Sequence, residues 1–139
     1  MKNKGVLFAV SIYLFVPHAD AEADAAANRP QSLNSDFDIA TNQLPLLRSQ
    51  ALNGDAAAAY KLYLYYELVV ISHSESLFWS TVSAEDGGAQ GEYSLGFYLA
   101  HRPDPEEKLR AVFWLTKARA AGVTEADDLL ARLAKSRPH

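Results

Sequence analysis

The sequence predicts an all-α fold of about six helices in antiparallel pairs, curved into a short solenoid. Three observations predict it. Bulky residues recur at the three-and-four spacing of a helix rather than the alternation of a strand. Gly54, Gly87 and Gly122 recur at intervals of 33 and 35 residues, each at the same place in a longer pattern. Capping residues also stand where each helix would begin, Asp55 and Asp104 most clearly.

The 139 residues are 49% hydrophobic and carry a formal net charge of -4, material for one small domain. Basic residues are scattered rather than striped, and an acidic chain is repelled by phosphate, so no nucleic-acid partner is expected. Residues 1–21 read as a cleaved secretory signal peptide: Lys2 and Lys4, then the apolar run GVLFAVSIYLFV, then Pro17 and the Ala19-Asp20-Ala21 cleavage pattern. That run is too short for a bilayer, which needs about 20 residues, and no stable membrane anchor is expected after cleavage. The chain has no cysteine, hence neither disulfides nor a lipidated cysteine tether. A periplasmic location in a bacterium follows as the expectation. Residues 22–34 are nearly devoid of large apolar side chains and read as a flexible leader. The repeat domain then occupies 35–139.

The elements follow in order. A leading helix begins near Pro45 and ends before Gly54. Asp55 opens a second helix running to about Val70, and Ser74 opens a third to Asp86. Gly87 ends that helix in the left-handed conformation and Gly88 leads into the fourth, Ala89 to His101. Asp104 caps a fifth, with Pro105 at its first position and Glu107 three residues on, reaching Ala121. Thr124 with Asp127 repeats the capping box and opens the last, ending near Lys135. Glycine inside a helix costs roughly 1 kcal/mol relative to alanine. Gly91 and Gly96 therefore imply a close approach, by a neighbouring backbone or a tryptophan.

Eight residues before the three recurring glycines stand Leu46, Trp79 and Trp114; four after them stand Ala58, Gly91 and Ala126; eight after them stand Leu62, Leu95 and Leu130. With WSTVSAEDGGAQGEYSLGFY and WLTKARAAGVTEADDLLARL as its clearest copies, this pattern resembles the Sel-1-like repeat family over roughly Leu44 to Leu133. It departs from the family at the loops ISHSES and HRPDPEE, at Leu46 where tryptophan is common, and at Tyr63 where glycine follows the leucine. The resemblance implies a short right-handed α/α superhelix of about three helix-turn-helix repeats. It also implies a concave groove lined by the helices that start near Asp55, Ala89 and Thr124. Its groove-facing positions would be Ala57, Tyr60, Leu64 and Glu67, then Gln90, Tyr93, Phe97 and Ala100, then Glu125, Asp128, Arg132 and Lys135, running from aromatic to charged. The cluster YKLYLYYELVV carries four tyrosines on three faces, more than one core needs, and tyrosine suits interfaces.

Chemical motifs are scarce. The chain has no GxSxG, HExxH, phosphate-binding glycine loop or cysteine nucleophile. His101 with Asp104 could be imagined as an acid/base or metal pair, but a lone pair beside a helix cap reads as loop polarity. Glu85, Asp86, Asp104, Glu106 and Glu107 read as solvated helix ends. The expectation is a protein-binding module that is not an enzyme and uses no cofactor or metal. Small exported acidic chains of this type resemble periplasmic immunity proteins that neutralise type VI secretion phospholipase effectors. An envelope adaptor for a secretion or polysaccharide complex is the alternative. A chain of three repeats has room for one partner, which favours the immunity protein.

Overall fold

The computed structural model describes residues 35–136; the signal peptide and leader expected in 1–34 lie outside the described residues. After a short 3-10 turn at Ser35–Phe37 come six α-helices, which we number α1 (Leu44–Leu52), α2 (Ala56–Tyr65), α3 (His73–Glu85), α4 (Ala89–Ala100), α5 (Pro105–Ala120) and α6 (Ala126–Lys135). No strand occurs among the described residues, and the all-α expectation holds. Each helix packs on the next, and α1 also meets α3, α2 meets α4, and α4 meets α6.

Three turns are built alike. Gly54, Gly87 and Gly122 have φ of +95°, +82° and +97°, the left-handed region that glycine enters without a Cβ penalty. At each, the glycine N–H and the next N–H donate back into the last helical turn: Gly87 to Ala84 and Gly88 to Ser83, with the same pairs at Gly54/Asp55 and Gly122/Val123. The prediction for Gly87 thus holds and extends to its two counterparts.

Caps decide the other boundaries. Asp55 Oδ1 accepts from the N–H groups of Ala57 and Ala58, both at 3.0 Å, and Asp104 Oδ1 accepts from Glu106 at 2.8 Å with Pro105 opening α5. Two starts differ from expectation. Helix α3 begins at His73 behind an extended Ser72, so Ser74 is already inside the first turn. The Thr124 capping box does not form: Glu125 is already helical at φ −60°, and Thr124 instead accepts from Asp127 through its backbone carbonyl. With Ala126 and Asp127 donating to the Val123 and Thr124 carbonyls, the helix proper starts at Ala126.

Helix α2 does not continue regularly to Val70. Residues Tyr66–Val70 form a π-helical turn that ends on Ile71 at φ +58°, an unfavourable position for a β-branched residue.

The two helical glycines mark close approaches by different neighbours. A Cβ on Gly91 would lie 2.5 Å from Ser83 Cβ and 2.8 Å from the Ala84 nitrogen, both on α3. One on Gly96 would lie 2.7 Å from Leu115 Cγ on α5, so leucine rather than tryptophan fills that space.

The core is two apolar clusters. The first joins Leu44, Ala51, Ala58, Leu62, Tyr65, Tyr66 and Trp79; the second joins Ala84, Leu95, Leu99, Ala111, Trp114, Leu115, Leu129 and Leu133. Helix α3 serves both, and buries Ser76, Ser80 and Ser83 between them. Each hydroxyl donates to a carbonyl, Ser83 reaching Ala56 on α2 at 2.9 Å, which removes the cost of burying it.

Trp79 and Trp114 are buried as the repeat pattern requires, but Leu46 is 63% exposed, because Leu44, Leu47 and Ala51 take the inward face of α1. In α6, which starts one residue later than a Thr124 cap would place it, Ala126, Leu129 and Leu133 face inward and Leu130 is half-buried.

Candidate functional site

Helices α2 and α4 bring their aromatic residues to one surface. Tyr60 and Tyr63, three residues apart on α2, stack with ring centroids 5.5 Å apart. Along α4, Tyr93, Phe97 and His101 succeed one another at one-turn spacing, with centroids 6.3 Å and then 4.3 Å apart. Burial raises the phenol pKa of both Tyr60 and Tyr63, with the Ser94 hydroxyl of α4 pulling the other way; Glu67, Tyr60 and Tyr93 push Tyr63 up further. Phe97 stands 48% exposed at the centre of this surface.

Beyond Phe97 the surface deepens into a cleft of about 340 Å³ between the end of α2, the start of α3 and the end of α4. Two groove-facing residues implied by the family resemblance, Glu67 and Phe97, line it. Tyr63, Leu77 and Tyr98 add apolar wall; Ser76, Ser80 and Ser94 add hydroxyls; His73, His101 and Arg102 stand round it. The Nδ1 atom of His101 lies 2.8 Å from the Phe97 carbonyl, closing the last turn of α4. Arg102 donates to Glu107 at 3.1 Å and lies 5.7 Å from the Tyr98 ring centroid; the paired carboxylate raises its pKa above the usual arginine value.

The remaining groove positions from the sequence separate into two groups. Tyr60, Leu64, Tyr93 and Ala100 are half-buried beside the aromatic surface, while Ala57 and Gln90 are exposed at the start of their helices. Glu125, Asp128, Arg132 and Lys135 are exposed on α6. A second hollow, about 380 Å³ between α5 and α6, is lined instead by Val112, Thr116, Arg119, Asp127, Leu130, Ala131 and Ala134. On this side of α6 stands Asp127, not Asp128, 3.8 Å from Arg119. The imagined pairing of His101 with Asp104 is not made, since Asp104 caps α5.

Sequence reasoning left Tyr63, His73 and His101 out of the groove positions, keeping the loops His73 to Glu75 and His101 to Asp104 only as the alternative surface. Tyr63 had a signal, because it stands where the pattern has glycine and Gly96 occupies the matching place on α4. What the sequence did not show is that His73 and His101 meet, since only the fold brings them to one opening.

Two further polar groupings tie helices together. Arg48 of α1 donates to the Tyr66 hydroxyl and lies 3.8 Å from Glu75, which accepts from the Trp79 indole at 3.0 Å. Glu92 of α4, only 4% exposed, pairs with Lys117 of α5 at 2.9 Å.

Among the described residues no cluster of histidine and carboxylate side chains could hold a metal ion, and no helix is long and apolar enough to cross a membrane. No family model matches the chain, and no curated protein or solved structure matches it.

Proposed function

We propose that this chain is a non-enzymatic protein-binding module, a short right-handed α/α superhelix of about three Sel-1-like repeats whose aromatic surface on α2 and α4 clamps another protein. The observation that carries this reading is Phe97. It is a large apolar side chain left 48% exposed in the middle of half-buried tyrosines, where a partner would cover it. The recurring glycine turns support the repeat reading, as do the Phe78–Trp79 and Phe113–Trp114 pairs, set edge-on at 4.9 Å and 5.0 Å. In its full form the reading has the chain exported to the periplasm, where it acts as an immunity protein that occludes a type VI secretion phospholipase effector.

The envelope adaptor is the second reading, and one observation favours it. Leu109 and Phe113, one turn apart on α5, are 59% and 57% exposed, offering an apolar patch on a different helix. An adaptor needs two such surfaces.

The test is capture of a partner from envelope extract or with the product of a neighbouring gene, followed by binding measurements on variants. Phe97→Ala and Leu64→Ala should each weaken binding by about 2 kcal/mol or more, as truncated interface anchors do, with helical content unchanged. Charge reversal at Glu125 or Arg132 should act mainly on the association rate. A partner that binds all four variants normally overturns the groove assignment. Simultaneous capture of two proteins, the second lost on Phe113→Ala, would favour the adaptor.

A further inference from the structure

We infer that the cleft at the end of the aromatic surface receives a cationic side chain, arginine or lysine, from the bound partner. The inference rests on the protein-binding reading and names the chemistry recognised at one point of that surface. Glu67, the second residue of the π-helical turn, supplies the charge. Glu67 lines the cleft, and among the described residues no lysine or arginine forms a salt bridge with it. The one arginine or lysine among the lining residues is already committed, since Arg102 pairs with Glu107 and lies over Tyr98.

The walls complete the argument. Tyr63, Phe97 and Tyr98 present aromatic surface, whose faces attract a cation placed over them. The hydroxyls of Ser76, Ser80 and Ser94 add acceptors for the N–H groups of a guanidinium or ammonium. A volume of about 340 Å³ is at the small end of ligand pockets, which run from about 300 to 1,000 Å³. That room suits one long side chain rather than a folded element. An acidic group entering here would face Glu67, with the Arg102 charge on the rim already held by Glu107. A purely apolar one would bury that carboxylate unpaired.

The test uses the full chain as produced by the cell and three capped tripeptides, acetyl-Gly-Xaa-Gly-amide with arginine, its neutral isostere citrulline, or leucine in the middle. Ring resonances of Phe97, Tyr98 and His101 report occupancy by NMR titration. The arginine peptide should perturb them saturably, and its affinity should fall about tenfold with citrulline or in Glu67→Gln, the effect of losing one charge-assisted contact. Equal binding of the citrulline or leucine peptide overturns the inference, as does unchanged arginine binding by Glu67→Gln or the absence of saturable perturbation. The two readings fail separately. If the arginine peptide does not bind but Phe97→Ala still weakens capture of the partner, only the cation site falls. If the peptide binds and Phe97→Ala leaves the partner unaffected, the groove reading falls.

Discussion

At the scale of single residues, two kinds of glycine do opposite work. Gly87 has open space around the position of a Cβ, so only its φ of +82° resists substitution. Gly91 has ordinary helical backbone, and only the Ser83 and Ala84 atoms beside it resist. Gly87→Ala should therefore cost about 1–2 kcal/mol, the strain of a left-handed L-residue, and Gly87→Asn should recover part of it because asparagine tolerates that conformation. At position 91 alanine gains about 1 kcal/mol in helix propensity but overpacks, a cost of about 1–3 kcal/mol. Since the Ala84 nitrogen is backbone and cannot rotate away, the upper end of that range applies and Gly91→Ala should be net destabilising. Urea denaturation measures both. A variant with alanine at 91 more stable than the parent would refute the close approach of α3 and α4.

At the scale of elements, helix limits were legible in the sequence wherever a side chain alone determines them. Asp55 and Asp104 cap as expected because each lies on extended backbone with free N–H groups ahead of it. Thr124 offers a similar signal in sequence, but it is its backbone carbonyl that takes the Asp127 N–H, an outcome that residue types alone do not resolve. The π-helical turn was also hidden, because the apolar spacing of YELVV suits an ordinary helix as well. Of the candidate site, the aromatic half was readable from Tyr60, Tyr93 and Phe97. The cleft was not, since Glu67, His73 and His101 are joined only by the packing of α2, α3 and α4. The Glu92–Lys117 pair is a consequence of the same kind, carried by the contact between α4 and α5. Lys117→Met keeps the apolar stem but leaves the Glu92 carboxylate buried without its cation, and should cost about 1–3 kcal/mol. Adding Glu92→Gln should restore part of the loss in the same denaturation assay; an additive second loss would show that the pair is not coupled.

At the scale of the molecule, the division of the core governs how stability is distributed. Trp79 belongs to the first cluster and Trp114 to the second, with the serines of α3 between them. Truncating Trp114 removes a side chain that is 7% exposed, a loss of about 3–5 kcal/mol. Its effect should be felt first in α5 and α6. Native-state hydrogen exchange on Trp114→Ala should show amides there opening more readily while those of α1 and α2 keep their protection. A uniform loss of protection along the chain would mean that the two clusters act as one.

The glycine turns and the apolar clusters place the joints of this protein at different points. Local geometry repeats from Gly54 to Gly87 to Gly122, yet each of these turns lies within a cluster: the first between Ala51 and Ala58, the second between Ala84 and Leu95, the third between Leu115 and Ala126. The clusters themselves part company along α3, where no cut can be made without severing a helix. Cutting the chain at a turn would therefore split a core, and cutting it where the cores part would break a helix.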